Sequence, residues 1–162
     1  MDKSERVTLL SKVGLFSGLT PAALDLVASI ATEESHEKGT TIFSHGAVSD
    51  KLYIIMSGRV RISRDTSGMA EDAGMDDEAL AVLNPGAVFG EMALLDDVSR
   101  TTDAHVDENC HLVVISREVF EDLLFLHKDL AYEVLWSMVK ILGSRLRETG
   151  NELTFLSASS KF

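Results

Sequence analysis

The chain has 162 residues and a formal net charge of −11, enough length for one compact domain with a hydrophobic core. Proteins that bind nucleic acid through phosphates usually carry a basic face, and anionic membranes repel acidic surfaces, so the charge disfavours both partners. It does not exclude a small anion that local donors hold against the background charge.

Two helices are predicted at the start of the chain. Residues 4–14 have the composition of a short helix, and "GLTPAALDLVASIA" follows. Thr20 suits an N-cap and Pro21 suits the first helical turn. Leu24, Val27 and Ile30 then recur at helical spacing.

The pattern changes after Gly39, where short β-branched runs alternate with glycines as far as about Ser116. Runs at this spacing with turn signals between them are typical of an all-β sandwich or barrel. The acidic stretch "RDTSGMAEDAGMDDEA" predicts a long exposed loop between two strands. Three glycines of this region are predicted turn positions, namely Gly46, Gly58 and Gly86.

Helical patterns return after Ser116, with "REVFEDLLFLH" predicting a short helix and "KDLAYEVLWSMVKILGSRLRETGNEL" a long one. The wide apolar stripe of the long helix could pack on the barrel on one side and meet a second subunit on the other. The fold class is therefore α+β, mainly a β-barrel with N-terminal helices and two C-terminal helices. We expect one domain over residues 1–156 and a tail over residues 157–162.

The stretch "FGEMALLDDVSRTT" carries the chemistry that stands out. If "GEMALL" begins a short helix, its first backbone N–H groups lack partners and favour an anion before Gly90. Glycine lets a ligand approach the backbone, and Arg100 can offer a fork of donors to the same anion. Thr101 and Thr102 can add hydroxyl donors. The stretch therefore predicts a phosphate site.

Glu91 would repel a phosphate and should face another group. A sugar hydroxyl beside the phosphate would donate a strong hydrogen bond to this carboxylate, which indicates a nucleotide. The alternative is a plain salt bridge between Glu91 and Arg100 that closes the loop.

On these residues the chain resembles the cyclic nucleotide-binding domain of the bacterial catabolite activator protein, cyclic-nucleotide-dependent kinases and cyclic-nucleotide-gated channels. "FGEMALLDDVSRTT" is similar to the family's phosphate-binding cassette. "GTTIFSHGAVSDKLYIIMSGRVRI" resembles the preceding strands, and "LFSGLT" resembles the lead-in helices. The resemblance covers roughly residues 5–156 and implies a jelly-roll barrel, a double-stranded β-helix.

The resemblance also implies roles for individual residues. Glu91 would bind the ribose 2′-hydroxyl, and Arg100 would bind the exocyclic phosphate oxygens. Thr101 would contact the phosphate by its hydroxyl or amide. Backbone N–H groups would come from Gly90, Met92 and Ala93. The apolar wall near the base and sugar would include Val60, Ile62, Val88 and Phe89.

The last helix bears on the base. "SRLRETGNEL" resembles the segment of the catabolite-activator group in which a threonine contacts adenine, and Thr149 falls there if a short insertion is allowed. A solvent-facing threonine is the alternative. Cyclic AMP is the expected ligand. Cyclic GMP stays open, because a threonine at the position of Thr101 helps some family members bind guanine.

The chain ends at "NELTFLSASSKF" without a helix-turn-helix, a kinase or a channel, so we expect a stand-alone cytoplasmic sensor. It would act on an unknown protein effector or on a second copy through the long helix, not on DNA or a membrane. The N-terminus has too short an apolar run for a signal peptide, and no stretch of about 18 apolar residues occurs.

The two alternatives to a cyclic nucleotide sensor are an enzyme and a ligand-free scaffold. An enzyme of the cupin type would need metal-binding histidines, but the five histidines are scattered and the single Cys110, in apolar "CHLVVI", suits a buried position. No nucleophile–base motif occurs either, so we expect no enzyme and no metal. A ligand-free scaffold of the same fold is the third possibility, against which Glu91 and Arg100 both argue.

Overall fold

The computed structural model describes residues 2–64, 78–94 and 99–159. It gives the backbone alone for Glu78, Ala79, Glu91, Met92, Arg145, Glu152 and residues 154–159. Residues 65–77 of the predicted loop at 64–79 lie outside the described residues, as do the two aspartates of the cassette, Asp96 and Asp97, whereas both ends of that loop belong to strands. No described helix is long and apolar enough to cross a membrane.

The chain divides into two compact units, Met1–Ala28 with Leu124–Phe162 and, between them, Ser29–Leu123. The first unit is helical. Its helices are α1 (Lys3–Leu10), most of α2 (Pro21–Ile30), the end of α3 (Arg117–Leu126) and α4 (Lys128–Ser159). The prediction of a single domain over residues 1–156 stays a prediction, and α4 runs into the segment predicted as a tail.

The start of α2 confirms the predicted cap. The N–H of Leu24 donates to the carbonyl of Thr20 at 2.9 Å, which begins the helix at Pro21. The Glu133 carboxylate accepts from both the backbone N–H and the hydroxyl of Thr20, at 2.8 and 3.1 Å. A side chain of α4 therefore supports the N-terminus of α2.

The second unit contains the sheet. Its strands are β1 (Thr32–His36), β2 (Thr41–Phe43), β3 (Lys51–Arg64), β4 (Glu78–Leu83), β5 (Val88–Phe89) and β6 (Asp103–Ser116). The described strands pair in the order β1-β6-β3-β4, with β2 also on β6 and β5 also on β3. Every pairing is antiparallel, as the jelly-roll class requires.

The two 14-residue strands β3 and β6 form the centre of this sheet, from Lys51 opposite Ser116 to Ser63 opposite Asp103. The apolar run of β3 is buried on both faces, which explains why it does not alternate with polar residues. One of these faces belongs to a core cluster that includes Tyr53, Ile55, Val60 and Phe89. Cys110 lies in the same cluster as a free, buried thiol, as its surroundings in the sequence predict.

The predicted turn at Gly58 is wrong. β3 continues through this residue, and its register with β6 shifts on either side, so Gly58 forms a bulge within one strand. Its φ of 84° favours glycine, and an added Cβ would lie 2.2 Å from the carbonyl oxygen of Asn109. Glycine is needed here for close contact between two strands, a requirement that looks the same as a turn in the sequence.

Substituting Gly58→Ala is expected to lower the free energy of unfolding by about 3 kcal/mol, because backbone strain adds to overpacking against a paired strand. Gly39→Ala is the matched control, since Gly39 has a φ of 88° but nothing within 4 Å of the added Cβ. The control should cost only about 1 kcal/mol. Urea unfolding of both variants measures the difference, and equal losses would refute the steric explanation.

Candidate functional site

The cassette begins with a glycine that the local geometry requires. Gly90 has a φ of 75° and takes the chain from β5 into a 3-10 helix over Glu91–Leu94. A Cβ on Gly90 would lie 2.6 Å from Nη1 of Arg100 and 2.8 Å from the carbonyl oxygen of Lys51. The Arg100 side chain thus fills the space beside Gly90. The sequence predicts that these two residues contact the same anion.

The Arg100 side chain is 7% exposed and reaches back across the cassette. Its Nη2 donates to the carbonyl oxygen of Lys51 at 2.7 Å. Its guanidinium carbon lies 4.1 Å from the ring centroid of Phe43 and 5.7 Å from that of Tyr53. The cation is therefore held by a carbonyl at the start of β3 and by two aromatic rings.

The electrostatics of this guanidinium favour an anion. Nε of Arg100 is buried without a hydrogen-bond partner, and no described carboxylate forms an ion pair with the side chain. Burial lowers the pKa of Arg100, while the charges of Tyr53 and Asp50 act in the opposite direction. A guanidinium nevertheless stays protonated in proteins, so a buried positive charge and a free donor remain for a ligand.

The backbone of Arg100 is fixed by the loop between β2 and β3. Its N–H donates to the carbonyl of Ala47 at 2.9 Å, and its own carbonyl accepts from the N–H of Gly46 at 2.8 Å. The carboxylate of Asp103 accepts from the N–H of His45 at 2.7 Å. These bonds connect both Arg100 and the start of β6 to the same loop.

The cassette contains a short helix over Glu91–Leu94, as the sequence predicts, and residues 95–98 lie outside the described residues. This helix is one 3-10 turn of four residues, in which the N–H of Ala93 donates to the carbonyl of Gly90 at 3.0 Å. That amide is already committed, so Ala93 would have to change partner to serve a ligand. Among the described groups of the cassette, the Arg100 side chain therefore offers the unpartnered donor, and the Ala93 amide does not.

The other predicted site residues divide between the two units. Val88 and Phe89 form β5 against β3, and the Phe89 ring stacks on Tyr53 with centroids 4.9 Å apart. Thr101 is exposed and Thr102 half-buried, directly after Arg100. Thr149 lies on α4, exposed, in the helical unit. For Glu91 and Met92 the structure describes only the backbone.

Sequence reasoning missed the groups that hold Arg100, namely the rings of Phe43 and Tyr53 and the carbonyl of Lys51. The stretches "TTIF" and "KLYII" predicted strands correctly. Their spacing has no signal that would place those rings beneath an arginine about 50 residues later in the chain.

Lys51 is itself part of a polar network on the sheet. Its Nζ donates to Oε1 of Glu34 at 3.0 Å, and Nε2 of His36 lies 3.1 Å from the other oxygen of this carboxyl group. Burial raises the pKa of Glu34, but the hydrogen bonds from Lys51 and His36 outweigh it, and the net shift is downward. This network fixes the residue whose carbonyl accepts from Arg100.

A lowered folded-state pKa means that the ionised Glu34 stabilises the fold above its ordinary value of 4.5. We expect Glu34→Gln to reduce the free energy of unfolding at pH 7 by less than about 1 kcal/mol, because the pair is partly solvent-exposed. The difference from the wild-type protein should shrink as the pH falls through the folded-state pKa. Urea unfolding across this range measures it, and a difference that grows on acidification would contradict the assignment.

Comparison with known proteins shows the family and the fold of the chain. Residues 33–127 match the model of the family described as "Cyclic nucleotide-binding domain". The Cyclic AMP receptor protein of Thermus thermophilus is 37% identical over 143 residues, which cover 88% of this chain and 62% of that protein. The chain thus spans less than two thirds of the length of this curated relative.

Solved structures show the same fold. The Thermus thermophilus Catabolite Activator Protein crystal structure is 34% identical with a TM-score of 0.67, covering 89% of this chain and 63% of that one. The N-terminal domain of a transcriptional regulator from Streptomyces coelicolor superposes with a TM-score of 0.74 at 24% identity, covering 88% and 95%. The jelly-roll class predicted from the sequence is confirmed, and the chain belongs to the cyclic nucleotide-binding domain family.

Proposed function

We propose that the chain is a sensor module that binds cyclic AMP through the cassette at residues 89–102. The observation that carries the proposal is the buried guanidinium of Arg100, which lies against Gly90 with its Nε unpartnered. A singly charged cyclic phosphate supplies the acceptor oxygens and the negative charge that this group lacks. The name and sequence identity of the Thermus thermophilus relative favour cyclic AMP as the ligand.

In this proposal, Arg100 binds the exocyclic phosphate oxygens, with Thr101 and Thr102 as neighbouring donors. Glu91 accepts a hydrogen bond from the ribose 2′-hydroxyl. The backbone amides of Gly90 and Met92 complete the phosphate site, together with that of Ala93 once it leaves the carbonyl of Gly90. The apolar wall beside sugar and base is formed by Val60, Ile62, Val88 and Phe89.

Isothermal titration with cyclic AMP and cyclic GMP tests the ligand. Protein purified free of nucleotide should bind cyclic AMP saturably with one site per chain and more tightly than cyclic GMP. Tighter binding of cyclic GMP would favour the alternative hypothesis, in which Thr101 helps to bind guanine. Thr101 is exposed and directly follows Arg100. Heat from neither nucleotide would contradict the proposed function and favour a ligand-free scaffold.

We further propose that the signal passes through α4 to a protein partner, and that this partner includes a second copy of the chain. Large apolar side chains along α4 are exposed at heptad-like spacing, a pattern typical of a helix that pairs with another. Thr149, the candidate for contacting the base, falls in the same register. The exposed residues are Tyr132, Leu135, Val139, Leu142, Leu146 and Leu153.

Sedimentation velocity tests this pairing. The protein should sediment as a dimer at micromolar concentration. Leu142→Glu should give monomers, because the dimer would bury an unpaired carboxylate between apolar side chains. Leu80→Glu is the control, since Leu80 is an exposed leucine of β4 and should leave the dimer intact. A wild-type monomer both with and without cyclic AMP would contradict the assignment.

A further inference from the structure

We propose that Phe43 is a positioning residue for the anion site: its ring holds the Arg100 guanidinium in place, so that the unpartnered Nε–H can donate to a phosphate. The inference rests on the proposed function and adds a residue from β2, outside the cassette, to the determinants of affinity. It follows from three features of the described contacts.

The first feature is the position of the guanidinium over the Phe43 ring. The guanidinium carbon lies 4.1 Å from the Phe43 centroid, within the distance at which a cation is attracted to a ring face. Phe43 is itself fixed against Tyr53 and Phe89, with ring centroids 6.0 and 6.1 Å away. An aromatic surface anchored in the core thus restricts how Arg100 can rotate.

The second feature is the division of the donors. The Lys51 carbonyl occupies Nη2 at 2.7 Å, whereas Nε is buried without a partner. In a bidentate contact, guanidinium presents two parallel N–H groups from one edge. Nη2 has a second hydrogen that is not used by the Lys51 carbonyl, and Nε–H has no acceptor in the protein, so both atoms can donate to a ligand.

The third feature is the kind of charge compensation. Among the described residues, no carboxylate pairs with Arg100, and the positive charge lies over ring faces instead. An incoming phosphate therefore need not displace any of the described acidic side chains from the guanidinium. The arginine is buried and ordered, so less side-chain freedom is lost when the ligand binds.

The test measures the Kd for cyclic AMP at a set of Phe43 variants. Phe43→Leu keeps an apolar side chain without the ring and should weaken binding about three- to tenfold, the range of a partly desolvated cation–π contact. Phe43→Tyr keeps the ring face and should stay within about twofold of the wild-type Kd. Phe125→Leu is the matched control, because Phe125 is 73% exposed with Lys128 Nζ 4.4 Å from its centroid.

Fluorination distinguishes a purely structural role of Phe43 from an attraction between its ring and the Arg100 cation. Mono-, di- and trifluorophenylalanine at position 43 preserve the size of the ring but weaken its attraction for a cation stepwise. We expect the Kd to rise with each fluorine. A Kd that ignores fluorination, or a Phe43→Leu variant that binds like wild type, would overturn the inference while leaving the proposed function intact. If the wild-type protein binds neither cyclic nucleotide, the proposed function fails and this role fails with it.

Discussion

Replacing Arg100 by glutamine is expected to weaken cyclic AMP binding by roughly 30-fold to 3,000-fold. Truncating one partner of a buried, hydrogen-bonded charge pair costs about 2–5 kcal/mol, and each 1.4 kcal/mol is a factor of ten in Kd. The loss should be near the upper end, because the Arg100 guanidinium is buried and its Nε–H has no partner in the protein. Isothermal titration measures it directly.

The same substitution should have little effect on stability. Glutamine loses the contact with Phe43 and leaves the Lys51 carbonyl without its donor, but it also removes a buried charge whose Nε lacks a partner. These effects oppose each other, so we expect a change of no more than about 1.5 kcal/mol in the free energy of unfolding without nucleotide.

Arg59→Gln is the matched control for charge. Arg59 forms an exposed ion pair with Glu108 at 3.2 Å and lies on the same strand as Lys51 and Tyr53. It should leave the Kd for cyclic AMP within about twofold, because surface pairs contribute little. If both variants lost affinity equally, the effect would come from the overall charge of the protein and not from the site.

Gly90→Ala is expected to damage both stability and binding. The substitution forces a non-glycine residue to a φ of 75° and places a Cβ 2.8 Å from the Lys51 carbonyl oxygen, a backbone atom held in the sheet. Strain and overpacking together should lower the free energy of unfolding by about 2–4 kcal/mol. The Cβ also displaces Nη1 of Arg100, so affinity for cyclic AMP should fall at least tenfold.

Gly86→Ala is the control that separates backbone strain at a positive φ from the close contact of a Cβ with Arg100 and Lys51. Gly86 has a φ of 89°, yet nothing lies within 4 Å of an added Cβ. This variant should lose about 1 kcal/mol of stability through the backbone alone and keep its affinity for cyclic AMP. A Gly90→Ala protein with the stability and affinity of the Gly86→Ala control would show that the close approach to Arg100 has no consequence.

The order of elements was predictable because glycines, β-branched runs and helical spacing are local signals. The polar strand β1, "TEESH", was missed because it pairs with β6 at one side of the sheet and needs no apolar alternation. The Gly58 bulge was taken for a turn, since both call for the same residue type.

The candidate site also has one part that local sequence signals predict and one part that they do not. The cassette, Gly90 and Arg100 were visible because they are close in sequence. The contacts of Arg100 with Phe43 and Lys51 were not, because they depend on how β2 and β3 pair with β6 and on the loop that joins them. Tertiary pairing, and not local composition, decides which side chains surround the buried guanidinium.

The most direct measurement of the central claim is the NMR resonance of the Arg100 Nε–H group, assigned by its absence in the Arg100→Gln protein. The account predicts that saturating cyclic AMP shifts this resonance strongly downfield, because a phosphate oxygen becomes the acceptor that Nε lacks. Adenosine, which has no phosphate, should leave it in place. An Nε–H resonance that stays fixed while cyclic AMP saturates the protein would contradict the assignment of Arg100 as the phosphate-binding residue.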